Sequence, residues 1–340
     1  MGEGGTPTLA DVARRAGVST ATVSRCLNAP DRVNGTTRER VLGAVAELGY
    51  APNFGARALA ARRTHMIGAV IPTMENAIFA RGIQAFQEEL GRRGYTLLIA
   101  SSAYQEALEE EQVHNLAARG AEALLLIGHH RSPRVLEFLA RRSIPSLVAW
   151  AYDPAMPHPS IGFDNRAAMR ALAAEVIGQG HERLGVVSAR TADNDRARNR
   201  LEGIRDALAA AGLSEGSLSV IETTYGYDTG GAAFEALMRK DEPPSAVMCG
   251  NDVLAAGALC AARRMGLGVP AEISITGFDD IELATVIDPP LTTVHVPHRE
   301  MGRRAAEMLV EMVHGSEPEP RQVDLPAEIR MRGTLGPPAG

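Results

Sequence analysis

A short run of small polar and cationic residues, from Ser19 to Arg25, has side chains suited to reading the edges of base pairs. If Val23 and Leu27 lie on one face of a helix, the opposite face carries Thr20, Ala21, Thr22, Ser24 and Arg25. Short side chains let a helix lie deep in a major groove about 12 Å wide, and an arginine can reach a guanine edge or a phosphate. Because a helix that faces only solvent more often carries long Glu and Lys, this run predicts a DNA-reading helix.

The residues around this run predict the helices that position it. Thr8 suits the N-cap of a first helix, with Asp11 at its third position, and Gly17 suits the positive φ of a turn. Ser19 is expected to cap the second helix, and Val18 can fill the turn between the two. Two short helices joined by a tight turn that contains glycine are typical of a helix-turn-helix.

A third helix is predicted to complete this region, with Thr36 or Thr37 as its cap and Gly49 at its end. An ordinary small helical bundle has the same pattern, so the polar face of the second helix is what favours DNA binding. The inward-facing residues of the third helix are expected to be Val41, Val45 and Leu48.

Charge is distributed unevenly along the 340 residues, whose formal net charge is −6. Residues 1–65 contain nine arginines and five acidic residues, a net charge of +4, which leaves −10 on the remainder. A small basic region on a larger acidic chain is expected when only that region meets phosphate, although salt-bridge patterning has the same signature. The charge pattern is therefore weak support for the DNA-reading interpretation.

Three stretches near the start of the chain resemble the N-terminus of the lactose-repressor (LacI/GalR) family of bacterial regulators: TLADVARRAGVSTATVSRCLN, VNGTTRERVLGAVAELGYAPN and ARALAARRTHMIGAVIP. The resemblance implies that the helix beginning at Ser19 is the recognition helix, in which Thr20 and Ala21 choose the operator sequence. Ala21 can make only an apolar contact, for example with a thymine methyl group, so these residues do not reveal the operator. The DNA-contacting residues that the resemblance implies are Thr8, Ser19, Thr20, Ala21, Thr22, Ser24, Arg25, Asn28, Arg57 and Leu59.

The segment PNFGARALA, which begins at Pro52, has the small residues of a linker and is too short to be a stable isolated helix. The family resemblance implies that residues 53–64 form a hinge helix, which orders when two subunits meet on DNA. Leu59 matches the leucine that wedges between base pairs from the minor groove and kinks the duplex. Ala60 departs from those members that have lysine there, so the preferred central bases stay open.

After Met66 the chain alternates between short apolar runs and helical segments, which are expected at Phe79–Arg93, Ala107–Arg119 and Asn165–Gln179 among others. Buried strands that alternate with helices predict an α/β fold of doubly wound parallel sheets, with ligands at the carboxyl ends of the strands. The predicted strands are MIGAVIP, YTLLIAS, EALLLIG, IPSLVAW, PSIGFD, RLGVVSA, LSVIET, SAVMCGN and ISITGFD.

One sheet of so many strands would be unusual, so two lobes that face a cleft are expected. The family resemblance implies the same periplasmic-binding-protein-like body, with crossovers between the lobes near residues 164, 293 and 324. Since no leucine heptads follow the body, a homodimer on a pseudo-palindromic operator is predicted rather than a coiled-coil tetramer. The predicted domains are a helix-turn-helix head at 1–52, the hinge helix at 53–64, the two-lobed body at 65–332 and a tail at 333–340.

Polar and aromatic residues that follow the predicted strands form a candidate effector site. As a set they suit a polyol, because aromatic faces stack on C–H groups, carboxylates accept from hydroxyls, and guanidinium and amide groups donate. For any one of them alone, a cap or a turn is the more common role. The predicted effector-binding residues are Asn76, Phe79, Trp150, Asp164, Arg200, Tyr225, Asn251 and Asp279.

The family resemblance implies effector contacts for Arg200, Asn251 and Asp279, and an aromatic wall at Tyr225. Trp150 departs from many sugar-binding members, which have Asp there, so an anionic ligand that pairs with Arg200 gains weight. The segments IPTMENAIFA, IGFDN, GFDD and PHREM are most similar to the gluconate-repressor branch. A sugar acid is therefore the expected effector, although Arg200 could equally bind neutral hydroxyls.

Other classes of function find little support in the sequence. There is no Gly-Lys-Ser/Thr loop and no cysteine with an obvious histidine partner that would argue for covalent catalysis, so an enzyme is not expected. The histidines at 129, 130, 295 and 298 have no third ligand at metal-site spacing, so neither a metal nor a cofactor is expected. Without an evident signal segment or an apolar stretch near the ~20 residues that cross a bilayer, and with three dispersed cysteines, the chain is expected in the cytoplasm.

The sequence thus predicts a transcriptional regulator, a repressor of a carbohydrate or sugar-acid utilisation operon, which is controlled by a small polar effector between two lobes. The effector can act only through its different affinities for two states of the protein, and either induction or corepression is compatible with the sequence. A solute-binding protein or an α/β enzyme that uses the same body is the alternative.

Overall fold

The computed structural model describes residues 6–28, 30–51, 63–75 and 77–339. Two compact units divide the chain, Met1–Thr64 and His65–Gly340, and are called here the head and the body. Each unit has its own buried apolar core. Within the described ranges no helix is long and apolar enough to cross a membrane.

The described part of the head consists of helices, as predicted. In the capping box that starts the first helix, Thr8 Oγ1 accepts from the Asp11 N–H and Asp11 Oδ2 accepts from the Thr8 N–H. Gly17 ends this helix with a φ of 64°, a backbone conformation in which a side chain would be strained. The elements are α1 (Leu9–Ala16), α2 (Thr20–Asn28), a 3-10 turn (Pro30–Arg32) and α3 (Gly35–Leu48).

The start of α3 differs from the prediction, while its end agrees. Asn34 Oδ1 accepts from the Thr36 N–H at 3.0 Å, so Asn34 is the cap, and the prediction of Thr36 or Thr37 was wrong. An asparagine is among the best N-caps, and it begins the helix before either threonine is reached. Gly49 ends the helix in the left-handed conformation, with a φ of 61°.

The core of the head lies where its helices meet. Val23 of α2 is fully buried, as predicted, but Leu27 is only half-buried and Cys26 is buried in its place. Cys26 follows Val23 by three residues, a spacing that puts both on one face of a helix. The buried residues of this core are Val12, Ala13, Ala16, Val23, Cys26, Val41 and Ala44.

Every predicted apolar run of the body contains a strand. The strands are β1 (Met66–Ile71), β2 (Thr96–Ser101), β3 (Ala123–Ile127), β4 (Ser146–Ala149), β5 (Ser160–Gly162), β6 (Leu184–Ala189), β7 (Leu218–Thr223), β8 (Ala246–Cys249), β9 (Ser274–Thr276), β10 (Thr293–His295), β11 (Gln322–Asp324) and β12 (Glu328–Arg330). A parallel sheet in the order β11-β5-β4-β3-β1-β2 forms the first lobe, and one in the order β7-β6-β8-β9 forms the second. The predicted α/β class with doubly wound lobes is confirmed.

Helices connect most of these strands and cover the sheets. Their apolar faces line the cores of both lobes. The helices of the body are α4 (Ala77–Arg92), α5 (Glu106–Ala118), α6 (Pro133–Arg141), α7 (Asn165–Gly178), α8 (Asp195–Ala210), α9 (Tyr227–Met238), α10 (Asp252–Arg264), α11 (Leu283–Val286) and α12 (His298–Val313), with a 3-10 turn at Glu215–Ser217.

Three connections join the lobes. The chain leaves the first sheet after β5 and enters the second through α7 and β6. It returns through β10 to α12, which packs on α4, and then adds β11 to the edge of the first sheet. β12 pairs antiparallel with β10. After β12 the chain reaches the second sheet again, where the Thr334 carbonyl accepts from the Ile275 N–H of β9 at 2.9 Å. The residues predicted as a tail thus pack on the second sheet, where Thr334 and Leu335 are buried.

Candidate functional site

The exposed face of α2 is the candidate DNA-reading surface of the head. Thr20, Ala21 and Arg25 are exposed on this helix, while Thr22 and Ser24 are half-buried. Two of these exposed side chains are small and the third is a long cation. The helix can therefore approach a base-pair edge closely, while the Arg25 guanidinium reaches further.

Two hydroxyl groups of the predicted DNA-contacting set also fix helix starts. Ser19 Oγ accepts from the Thr22 N–H at 3.1 Å and lies 2.9 Å from Thr22 Oγ1. The Thr8 hydroxyl donates to Asp11 Oδ2 at 2.6 Å, and the hydrogen bonds from Thr8 lower the pKa of the Asp11 carboxyl. These hydroxyls therefore orient the helices, and their contacts with DNA stay a prediction.

Some predicted site residues lie outside the described part of the chain. Arg57, Leu59 and residues 53–62 of the predicted hinge helix do so, and Asn76 of the body does as well. Asn28 ends α2, but its side chain is likewise not described. The roles predicted for these residues stay predictions.

A buried polar cluster in the body is organised around Arg200 of α8. Its Nε donates to Asn165 Oδ1 at 2.9 Å, and its Nη1 donates to the Gly250 carbonyl at 2.6 Å. The guanidinium carbon lies 3.7 Å from the centroid of the Phe278 ring, and Nη2 lies 3.5 Å from Asp279 Oδ1. Arg200 therefore joins the start of α7, the end of β8 and the loop after β9.

Asp279 is the acceptor that this cluster leaves unsatisfied. Its side chain is fully buried, and neither carboxylate oxygen has a hydrogen-bond partner among the described residues. The 3.5 Å separation from Arg200 is too long for a good hydrogen bond. Burial raises the pKa of the Asp279 carboxyl, and the nearby charges of Arg200 and Arg196 act in the opposite direction.

Asn251 supplies a second unsatisfied group, a donor, one residue before Asp252, whose N–H donates to the Phe278 carbonyl at 2.9 Å. Its Oδ1 caps α10 by accepting from the Leu254 N–H at 2.9 Å, while its buried Nδ2 has no partner among the described residues. The next residue, Asp252, accepts from Thr293 Oγ1 at 2.5 Å and from the Ile281 N–H at 2.8 Å. Burial and the charge of Asp279 raise the pKa of the Asp252 carboxyl well above its usual value, which favours its protonated form.

Aromatic rings flank the cluster from both lobes. Phe79 and Trp150 of the first lobe meet edge to face, with ring centroids 5.4 Å apart, and both are buried. Tyr225 of the second lobe faces Tyr104 of the first, with centroids 5.7 Å apart. Burial raises the pKa of both tyrosines, so each keeps its hydroxyl proton at neutral pH.

Asp164 has a different environment from the other predicted effector contacts. Its exposed carboxylate caps α7 by accepting from the Arg166 and Ala167 N–H groups, both at 2.9 Å. It lies close enough to Asp324 to raise the pKa of that carboxyl, although burial is the larger cause. The structure thus shows Asp164 as a helix cap at a crossover, and an effector contact stays a prediction.

Residues that were not predicted complete the cleft. Tyr104, Asp195 and Arg196 line a cavity of about 20 Å³ between the lobes. The His129 N–H of the first lobe donates to Asp195 Oδ2 of the second at 2.6 Å. A Cβ on Gly128, whose φ is 74°, would overlap the side chains of this Asp-Arg pair. The position of the pair at the start of a helix after β6 was the signal that could have identified it.

The comparisons with known proteins agree with this architecture. Residues 8–53 match the model of the bacterial regulatory proteins of the lacI family, and residues 173–335 match a periplasmic binding protein-like domain. The HTH-type transcriptional repressor CytR of Escherichia coli (strain K12) is 33% identical over 328 residues, which are 96% of each chain.

Solved structures of regulators match nearly the full length of this chain. The Lac repressor dimer bound to operator and the anti-inducer ONPF superimposes with a TM-score of 0.85 at 26% identity, over 97% of this chain and 99% of that one. The transcriptional regulator CelR in complex with cellobiose matches with a TM-score of 0.70 at 29% identity, over 96% and 99% of the two chains. With an N-terminal helix-turn-helix, a two-lobed body and full-length similarity to transcriptional repressors, this chain belongs to the lacI family of bacterial regulatory proteins.

Proposed function

We propose that this family member represses transcription as a homodimer on a pseudo-palindromic operator, and that a small polyhydroxylated effector in the cleft controls operator binding. The genes would form a carbohydrate or sugar-acid utilisation operon, and the protein would act in the cytoplasm. The Lac repressor structure, a dimer bound to its operator, supports the DNA partner and the dimer. The observation that carries the effector class is the buried, unsatisfied carboxylate of Asp279.

Hydroxyl groups are the chemical complement of this site. An ionised carboxylate only accepts hydrogen bonds, and the unpaired Nδ2 of Asn251 only donates them. A sugar can donate hydroxyl protons to Asp279 and accept from Asn251, which removes the cost of leaving both groups buried without partners. The CelR complex with cellobiose, a carbohydrate, supports this class of ligand.

A sugar acid, the effector that the gluconate-branch resemblance predicts, fits less well than a neutral sugar. Arg200 already binds Asn165 and the Gly250 carbonyl and lies beside Asp279. Arg196 lies 3.5 Å from Asp195, so its charge is shared too. A ligand carboxylate would therefore compete with acidic groups for both cations, and the carboxylate of Asp279 would repel it.

The burial of the effector-binding groups indicates how the effector acts. Asp279 and Asn251 are fully buried, so a sugar cannot reach them in this arrangement of the lobes. A bound sugar therefore requires the lobes to separate or to shift. The size of its effect on operator affinity is set by the difference between its affinities for the present and the shifted arrangement of the lobes. Induction and corepression are both compatible with this mechanism.

Asp279→Asn is expected to weaken effector binding at least about 100-fold, because two charge-assisted hydrogen bonds are each worth about 1.5–3 kcal/mol. The measurement is a thermal-shift assay of the full chain with D-ribose, cellobiose and D-gluconate, in which a ligand at 100 times its Kd adds about 2.7 kcal/mol of stability. Asp241→Asn is the matched control, since this exposed carboxylate precedes β8, at the opposite end of the strand from Asn251, and the shift should persist. A stabilising ligand that Asp279→Asn still binds normally would refute the assignment.

If the guanidinium of Arg25 contacts a base, Arg25→Ala is expected to weaken specific operator binding by about 1–3 kcal/mol. If it contacts phosphate instead, the slope of the logarithm of the binding constant against the logarithm of the salt concentration should fall in magnitude by about 1. The probe is a duplex selected from random DNA by the full-length protein, followed by fluorescence anisotropy at several salt concentrations. Arg14→Ala, which removes an exposed arginine of α1 that pairs with Asp11, serves as the control. Unchanged affinity and salt slope in the Arg25 variant would remove that residue from the interface.

A further inference from the structure

His298, the first residue of α12, connects one residue of each lobe. The Trp150 Nε1–H donates to His298 Nδ1 at 3.1 Å, and His298 Nε2 lies 3.2 Å from the Asp279 backbone carbonyl. Because an indole nitrogen can only donate, Nδ1 must be the acceptor, so the proton lies on Nε2 and is donated to the carbonyl. The two contacts therefore require a neutral imidazole in one tautomer.

Both partners of His298 have unusual backbone conformations. Trp150 has a φ of 61° and Asp279 has a φ of 102°, in the region that residues with a side chain rarely adopt. Such conformations persist only where neighbouring contacts hold them, and they cluster at functional sites. Trp150 is also confined by Phe79 and by Gly82, where a Cβ would overlap the indole ring.

We propose that His298 is a positioning residue of the effector cleft: its neutral imidazole holds Trp150 and Asp279 in their strained conformations, and its protonation releases both. The proposal rests on the proposed function in one respect, namely that Asp279 receives the effector. His298 itself does not touch the ligand. Its protonation state determines the geometry of the residues that line the cleft.

The surroundings of His298 set the sign of this dependence. The titratable and charged groups that act on it are His295 of β10, Arg200 of α8 and Arg81 of α4, while Asp279 of the loop after β9 acts through its backbone carbonyl. Burial lowers the pKa of His298 to about 4, and the three basic groups act in the same direction, against the hydrogen bond to Asp279. A second ring proton would turn Nδ1 into a donor that faces the Trp150 Nε1–H, which is also a donor, so the hydrogen bond between the two rings would be lost.

The neutral contact therefore contributes its full stability above the ordinary histidine pKa of about 6.5, because the ring is then neutral in the unfolded chain as well. In the folded protein the contact itself persists at lower pH, because burial keeps the ring neutral. It is lost as the pH falls through about 4, where the ring takes up its second proton in the folded protein.

Trp150 is the single tryptophan of the chain, so its fluorescence reports on this contact directly. Because a protonated imidazole quenches a neighbouring indole, emission of the full-length protein should be constant from pH 8 to 5.5 and fall with a midpoint near pH 4. His298→Gln and His298→Phe should both abolish this step, while circular dichroism shows that the fold persists. A midpoint near 6.5, or an unchanged step in either variant, would overturn the proposal.

Hydrogen exchange at pH 7 tests the positioning role separately from the proton. The Gly277 and Asp279 N–H groups donate to the Thr292 and Val294 carbonyls, both at 2.9 Å, so this loop is protected when it is held in place. His298→Phe removes the bond to Asp279, and exchange of residues 277–281 should become about tenfold faster, the equivalent of one hydrogen bond. His298→Gln can still donate to the Asp279 carbonyl, so its exchange should stay within about threefold of wild type.

Strand β6, at residues 184–189, is the internal control for exchange and should not change in either variant. Equal protection of 277–281 in wild type and His298→Phe would overturn the proposal, as would equal loss in both variants. Neither experiment uses an effector or DNA, so an error in the proposed effector class would leave both outcomes untouched.

Discussion

A protein that lacks residues 1–64 is expected to keep its folded body and its effector binding but to lose specific operator affinity by about 10³-fold or more. The core of the head consists of residues of α1, α2 and α3, and the cores of the body consist of residues after Met66. Because no described apolar core mixes the two units, removing one is expected to leave the other folded. The measurement is fluorescence anisotropy with the selected duplex, in parallel with thermal shifts in D-ribose, cellobiose and D-gluconate.

A point variant tests the same assignment without shortening the chain. Val23→Asp places a charge in the core of the head, where Val23 is fully buried, and should unfold the head and have the same effect on DNA binding as the deletion. Specific binding by the truncated protein would show that the DNA interface lies in the body, and would refute the assignment of α2.

Gly302→Ala is expected to lower the free energy of unfolding of the body by about 3 kcal/mol. Gly302 of α12 lies against the backbone of Gly82 on α4, and a Cβ there would overlap the Gly82 carbonyl oxygen. A backbone atom cannot rotate away as a flexible side chain can, so the two helices have to separate. The same helices carry His298 and Phe79, so the variant should also change the emission of Trp150. Urea denaturation followed by tryptophan fluorescence measures both effects.

Gly91→Ala is the matched control for this substitution. Gly91 lies on α4, is exposed, and a Cβ there would have no heavy atom within 4 Å. Alanine favours the helical conformation over glycine, so this variant should gain up to about 1 kcal/mol. If both alanine variants had the same stability, close packing between α4 and α12 would not explain the glycine at 302.

Most of the fold followed from local patterns in the sequence. Thr8, Asp11, Gly17 and Gly49 marked helix ends correctly, because capping depends on a few adjacent residues and on backbone conformation. Most of the predicted strands of the two parallel sheets were recognisable because strands buried on both faces are continuous apolar runs. Strands β10, β11 and β12 escaped this criterion, since TVH, QVD and EIR are not continuous apolar runs and form strands through pairing with distant segments.

The candidate site was predictable in part. Asn251 and Asp279 were identified from their positions after strands and from the family resemblance. Arg200 was identified by the same resemblance, but it lies inside α8, so the prediction of a loop position was wrong. The structure brings Arg200 and Asp279 within 3.5 Å of each other. Tyr104 and Arg196 were missed, although they line the cavity between the lobes. Asp164 follows a strand in the same way, yet it caps α7, because a carboxylate before a helix has a local partner in the helix N–H groups.

By itself, the sequence determined the properties that depend on neighbours along the chain: the helix-turn-helix, the alternation of strands and helices, and the family. Only the tertiary structure decided which polar groups lack partners, because burial and hydrogen-bond satisfaction are set by residues far apart in sequence. Asp279 is unsatisfied, and His298 joins Trp150 to the Asp279 carbonyl across 148 and 19 positions of the chain. Contacts between residues so far apart in sequence exist only in the folded chain, so no local pattern could have revealed them.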